Sequence, residues 1–327
     1  MIISKTPYRI SFFGGGTDYP IWFKKNGGQV ISTTINKHIY ITARFLPRFF
    51  SHKHRVVWSN IERENKIQSI KHPVVREVLK SYKIKSGTEI HYDGELPAKA
   101  GMGSSSVFTV GLINTLSNLN NLKKTNREIS LEAINLEQNI LRESVGSQDQ
   151  IATCYGGLNH IKFKKNGQFS VNKLKFSKTK INNFESKFLL FFSGITRSAN
   201  KMASSYVHKL NKLDKELNLI DDCVSKSIKF IKEGCFEDFG YLLDYSWQIK
   251  KELNKKISND KIDFIYRTAK KNGAIGGKLL GAGSGGFVLI YADEQYHEKI
   301  IHSLKGFINV PIKFDSAGSQ IIYNSVK

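Results

Sequence analysis

A glycine- and serine-rich stretch, Glu95 to Ser106 (ELPAKAGMGSSS), separates two kinds of hydrophobic pattern and constrains the fold more than any other feature of the chain. Before it, β-branched and aromatic runs alternate with turns at Ile2 to Phe13, Gln29 to Leu46, Arg55 to Ser59 and Thr88 to Tyr92, the pattern of strands. After it, Val107, Val110, Gly111, Ile113, Asn114 and Leu116 fall at helical spacing. A loop of small residues opening a helix can accept an anion. Backbone N–H groups approach phosphate oxygens closely, and the helix N-terminus adds unpaired donors and the positive end of its dipole. A serine hydroxyl there can reach a bound Mg²⁺. The segment is not a Walker A loop, which requires G-x-x-x-x-G-K-[ST]; a serine N-cap after a flexible loop reads the same residues without a ligand.

Thr125 followed by Glu128 is a capping-box pattern and predicts a helix from about Asn126 through Ile129, Ala133, Leu136, Ile140 and Leu141, ending near Gly146. Leu158 to Phe163 and Phe169 to Leu174 flank Asn166-Gly167, which predicts a hairpin with a tight turn. The lysine-rich stretch from Lys173 to Asn183 reads as a boundary. Beyond it, Phe188 to Ser193 is a strand, and amphipathic helices are expected over Ala199 to Leu213, Lys215 to Glu233, Phe236 to Leu253 and Asp260 to Lys271, the last capped at Gly273. The remainder reads as strand, loop, strand, helix, strand, strand. At 327 residues the chain is about twice the usual domain length, so two domains are expected, 1–178 and 179–327.

Two further glycine segments and two acidic residues invite a chemical reading. Gly276 to Gly286 (GGKLLGAGSGG) contains a literal G-x-G-x-x-G at Gly281, Gly283 and Gly286, yet the β-rich run Phe287 to Tyr291 follows it where a dinucleotide fold would open a helix. It reads as a loop between strands, either a bulged hairpin or a backbone surface against substrate. In Phe13 to Tyr19 (FGGGTDY), Asp18 either caps a wide turn or accepts hydrogen bonds from a polyol. Glu137 falls on the apolar side of its helix, where a carboxylate needs a partner or a metal unless its tip reaches solvent. Asp149 follows in a turn, as an N-cap or as a catalytic group.

The balance of 50 Lys plus Arg against 28 Asp plus Glu, net +22, suits nucleic acid, anionic membrane or phosphorylated small molecules, or only a solvated basic face. Basic and aromatic residues are not interleaved in any one segment, so no nucleic-acid partner is expected. Three cysteines without C-x-x-C spacing indicate neither a disulfide framework nor a zinc site. No apolar run approaches the roughly 20 residues of a spanning helix, and no leader pattern opens the chain. A cytoplasmic protein with no membrane partner is expected; the oligomeric state stays open.

In this order the segments resemble the GHMP small-molecule kinases, the group of galactokinase, homoserine kinase and mevalonate kinase. The motif P-x-x-x-G-L-G-S-S-A is similar to Pro97 through Ser106, with Met102 for Leu and Ser106 for the final Ala. Pro7 through Tyr19 resembles the first family motif, and Lys278 through Gly286 the third. The resemblance implies an α+β fold of two domains: an N-terminal, nucleotide-binding one like domain 2 of ribosomal protein S5, and a C-terminal one with a ferredoxin-like core. It implies ATP and Mg²⁺. Lys99, Gly101, Met102, Gly103, Ser104, Ser105 and Ser106 would hold the ATP phosphates, and Ser105 and Glu137 the metal. Asp149 would take the proton of the attacking hydroxyl, with Arg9 beside it stabilising charge on the transferred group. Galactokinases carry G-E-H-T-D-Y where this chain has Gly14 to Tyr19; PYRISFFGGGTDYP looks instead like the D-glycero-D-manno-heptose 7-phosphate kinases. That resemblance implies phosphorylation of the C1 hydroxyl of a phosphorylated sugar, on the way to nucleotide-activated heptose for surface polysaccharide. Gly15, Gly16, Thr17, Asp18, Gly281 and Gly283 would line the sugar, and Arg197 is the candidate for its phosphate. The rival readings are a kinase of fucose, galactose or another alcohol, or an RNA-binding protein on the S5-like fold.

Overall fold

A computed structural model describes residues 1–196 and 207–325. Strand β1 (Ile2–Phe13) is buried on both faces from Thr6 onward, as befits the centre of a sheet. It runs antiparallel to the 19-residue β2 (Gly28–Leu46). Helix α1 (Pro20–Asn26) lies between them. Beyond β2 come β3 (His54–Val57), β4 (Ile61–Glu64), α2 (Pro73–Ser81) and β5 (Gly87–Gly94). The far half of β2 pairs with β5, which continues the sheet to β3 and β4. Its near half pairs with β6 (Asn159–Phe163), the first strand of a hairpin with β7 (Phe169–Lys173).

Three helices cover this sheet: α3 (Ser104–Leu119), α4 (Asn126–Asn135) and α5 (Gln148–Tyr155). The first packs on β1 and β2 at Gly111, where a Cβ would lie 2.9 Å from Thr6 Oγ1, so the backbones approach closely.

After α6 (Lys178–Glu185), a second, antiparallel sheet begins with β8 (Phe188–Phe192). Helices α7 (Asp214–Glu233), α8 (Phe236–Leu253) and α9 (Asp260–Lys271) precede β9 (Ala274–Leu279) and β10 (Phe287–Ala292). Helix α10 (His297–Ser303) and β11 (Ile308–Asn309) follow, and the order across the sheet is β11, β8, β10, β9. This is the expected two-part α+β architecture. The capping box at Thr125 and Glu128 is present, and α8 and α9 span the residues their periodicity predicts.

The last strands do not belong to the second sheet. β12 (Phe314–Asp315) pairs with β2, and β13 (Gln320–Asn324) with β1, so a simple division into 1–178 and 179–327 does not follow the sheets. The physical reason lies at β1 and β2, whose edges are left open by their other partners and need hydrogen bonds. The boundary stretch Lys173 to Asn183 is partly helical, because Ser177 caps α6 at the Lys180 N–H. The helix expected to reach Gly146 stops at a π-turn over Leu136–Ile140, and Arg142, at φ 56°, turns the chain away. At Asn166-Gly167 only the glycine is left-handed, and the strands close through a wider loop in which Lys164 N–H bonds Gln168 O. Gly276 to Leu279 belong to β9, leaving only Leu280 to Gly286 as loop. Much of the helix expected over Ala199 to Leu213 lies outside the described residues; Val207–Lys212 is a 3₁₀ segment.

Six aromatic rings lock the two sheets together: Phe12, Phe184, Phe188, Phe239, Tyr291 and Phe314. Ring centroids are 4.8 Å apart for Phe184 and Phe239, 4.9 Å for Phe188 and Tyr291 and 5.2 Å for Phe12 and Phe188. Phe239 is fully buried and touches rings from both parts. Phe239→Ala is therefore expected to cost about 3–5 kcal/mol, read as a lower urea midpoint followed by circular dichroism and by tryptophan emission.

Candidate active site

Arg9 reaches the cleft because β1 carries an irregularity in its register between Pro7 and Arg9, the kind of break that re-aims a strand side chain. Its guanidinium grips both oxygens of Asp149, Nε to Oδ1 at 2.7 Å and Nη2 to Oδ2 at 2.6 Å, and Nη1 donates to Gly101 O at 3.0 Å. A planar fork on a carboxylate is the strong form of ion pair, and Arg9 is almost wholly buried. Asp149 is not the cap of α5; that position is Ser147, which makes no side-chain cap bond.

The loop before α3 packs against this pair. Its cap is Gly103, left-handed at φ 73°, with no side chain to satisfy the first N–H groups of the helix. A Cβ on Gly103 would lie 2.9 Å from Asp149 Oδ2, so the anion-accepting helix end and the carboxylate are immediate neighbours. The third glycine segment braces the loop from behind. A Cβ on Gly281 would come within 2.5 Å of Gly101 Cα, and Phe287 N–H bonds Ala100 O.

Asp18 is buried. It accepts from Gly16 N–H at 2.9 Å and from Gln148 Nε2 at 3.2 Å, so it closes the turn while bordering the cleft. Burial pushes its carboxyl up to about 6, with Asp149 adding to the rise against the N–H of Gly16 and Gln148. Glu137 is fully buried on the π-turn. Its Oε2 accepts from Ser106 Oγ at 2.8 Å and from Gln150 Nε2, while Oε1 has no hydrogen-bond partner. Burial pushes this carboxyl up to about 7 against its hydroxyl and amide neighbours. A buried carboxylate with an orphaned oxygen and no cation beside it is short of one positive charge. These residues fit a divalent cation arriving with a phosphate chain, although no cluster of three or more His, Cys, Asp or Glu side chains suited to a metal occurs among the described residues.

The cleft of about 260 Å³ brings together Arg9, Gly15, Gly16, Asp18, Lys99, Gly101, Gly103, Ser104, Ser105, Ser106, Asp149 and Gly281. Four expected residues do not line it. Met102 is buried in the core, and the Thr17 hydroxyl is 2.9 Å from both Gly14 O and Gln29 O. Gly283 packs on Ile257, and Glu137 stands behind Ser106. Ser105 is exposed to the cleft, whereas Ser106, one residue on, is the hydroxyl on Glu137. Arg197 lies outside the described residues.

Sequence reasoning missed Gln148, Lys250 and Lys278, all on the cleft wall. The signal for Lys250 was present: it stands three residues after Trp247 and three before Leu253, on the buried stripe of α8. A lysine on such a stripe calls for an explanation.

Phosphoryl transfer asks a protein for positioning and charge neutralisation more than for covalent chemistry, and this cleft is organised for both, which places the fold among small-molecule phosphotransferases. The chain belongs to the GHMP kinase family, whose N-terminal domain matches residues 67–157 and whose C-terminal domain matches residues 227–309. It is 30% identical over 322 residues to the D-glycero-alpha-D-manno-heptose 7-phosphate kinase of Campylobacter jejuni, with 93% of each chain covered. A galactokinase of Pyrococcus furiosus is 24% identical over 90% of each chain. In fold it matches a D-glycero-D-manno-heptose 1-phosphate kinase from Bacteriodes thetaiotaomicron with TM-score 0.82 at 21% identity, covering 99% of this chain and 100% of that one. Among the described residues no helix is long and apolar enough to cross a membrane.

The carboxyl of Asp18 yields a pH test. Its folded value, about 6, lies above the ordinary value of 3.8, so between these the folded state holds the extra proton. Stability associated with Asp18 is present at low pH and lost as pH rises through that window. Asp18→Asn keeps an acceptor for Gly16 without the charge. Its melting temperature relative to wild type should therefore rise from pH 4.5 to pH 8 in ligand-free protein; a constant difference would contradict the burial argument.

Proposed function

We propose that the protein transfers the γ-phosphoryl group of ATP to the anomeric C1 hydroxyl of D-glycero-D-manno-heptose 7-phosphate, giving the 1,7-bisphosphate for synthesis of nucleotide-activated heptose. The observation that carries this reading is the Arg9 and Asp149 pair set against the uncapped N-terminus of α3. The similarity to the Campylobacter enzyme supports the heptose, as does a first motif without the Glu-His pair of galactokinases.

In this mechanism the N–H groups at Gly103 to Ser106 hold the phosphate chain, and Asp18 accepts from sugar hydroxyls. Each Asp149 oxygen accepts one bond from Arg9 and keeps lone-pair capacity for the acceptor hydroxyl. The acceptor oxygen bonds to the γ phosphorus as the bond to the bridging oxygen of ADP breaks, and the hydroxyl proton passes to Asp149. Arg9 stabilises negative charge spreading over the transferred group. Glu137 and Ser105 would hold Mg²⁺, which when bound neutralises charge on the nucleotide phosphates.

The test is ADP release with Mg·ATP against the heptose 7-phosphate, mannose 6-phosphate, galactose, fucose and mevalonate. Turnover selective for the heptose phosphate is expected; turnover of only an unphosphorylated sugar would replace the substrate while keeping the chemistry. Asp149→Ala should lower kcat by about 10²–10⁴ with ATP affinity nearly unchanged. Glu137→Gln should move the Mg²⁺ dependence of the rate to higher concentration, and an unshifted titration would remove Glu137 from the metal.

A further inference from the structure

Helix α8 packs on β9 of the second sheet, and its Lys250 lines the cleft together with Arg9. The ammonium donates to Gly281 O at 2.6 Å and more weakly toward Leu279 O at 3.4 Å. Three donors on two carbonyls leave one unused. Lys278, on the neighbouring strand β9, is almost fully buried and donates to Phe12 O at 2.6 Å. Among the described residues neither lysine pairs with a carboxylate, and the charge of Arg9 is already matched by Asp149. We propose that Lys250 is a phosphoryl-binding residue of the cleft, resting on the Gly281 carbonyl until an anionic phosphate group arrives between it and Arg9.

Charge supports the assignment. Burial, with the like charge of Arg9, pushes Lys250 down to about 8, and Asp18 acts the other way. Burial, with the charges of Lys250 and Arg9, pushes Lys278 well below the usual lysine range. With no carboxylate paired to Lys250 among the described residues, and Arg9 matched by Asp149, the site is short of negative charge. A phosphate dianion supplies that charge, and the flexible lysine stem can follow it while its carbonyl contacts are exchanged.

This inference rests on the kinase reading and deepens it, because the group bound is either the phosphate carried by the sugar or the phosphoryl group in transfer. Lys250→Gln and Lys250→Arg are compared with wild type, with melting curves to show that each folds. Calorimetric titration with orthophosphate and with tripolyphosphate should show at least one of the two bound about tenfold more weakly by Lys250→Gln, with partial recovery in Lys250→Arg, as expected for loss of one charge-assisted contact. Unchanged binding of both anions overturns the inference. Neither titration depends on sugar turnover, so an error in the proposed acceptor leaves this result standing. Steady-state rates then assign the source. A KM raised for a phosphorylated acceptor but not for an unphosphorylated one points to the sugar phosphate, and a lowered kcat with both points to the transferred group; unchanged kinetics in every variant again overturn the inference.

Discussion

The contact on which the cleft depends is the meeting of two glycine loops, Gly101 from the first half of the chain and Gly281 from the second. No side chain fits between them: a Cβ on Gly101 would collide with Leu280 O, and one on Gly281 with Gly101 itself. A line of polar contacts runs through this point. Lys250 holds Gly281 O, Gly281 presses on Gly101, Gly101 O accepts from Arg9, and Arg9 fixes Asp149. Side chains from three elements, β1, α5 and α8, thus meet through one backbone contact. Because glycine has few ways to relax around a new Cβ at left-handed φ, that contact tolerates little change.

Charge in the cleft is distributed unevenly, and the imbalance follows from what each group touches. Arg9 and Asp149 satisfy one another. Among the described residues Lys250 and Lys278 donate to carbonyl oxygens, whereas Glu137 accepts from hydroxyl and amide groups. The cleft therefore has a lysine without a carboxylate partner, and Glu137 behind Ser106 is an acid without a cation. A metal–phosphate complex carries both missing charges in one ligand, which is how a family of kinases can hold a nucleotide with few side chains.

Much of this was legible in the sequence because the decisive signals were local. The period change at Gly103, the capping box at Thr125 and the apolar stripes of α8 and α9 each depend on a few adjacent residues. What escaped was set by distant partners. Nothing near Leu136–Ile140 specifies a π-turn, which turns Glu137 toward Ser106 of another helix. Gly283 belongs to the same motif as Gly281 yet packs on Ile257, because neighbouring positions of one loop face different surroundings. Lys250 carried a readable sign in its place on an apolar stripe, but its role depends on carbonyls about thirty residues away.

The return of β12 and β13 to the first sheet brings residues far apart in sequence together, and Ser325 N–H bonds Met1 O. Asp315 reinforces the closure by meeting His38 across the sheet at 2.9 Å. Synthesis proceeds from the N-terminus, and domains generally fold as they emerge. Here the strand carrying Arg9 is translated long before the strand that seals its edge. The nascent first half must wait on the ribosome with one edge of β1 unpaired. Its completion therefore follows the synthesis of β13, which finds a partner made roughly three hundred residues earlier.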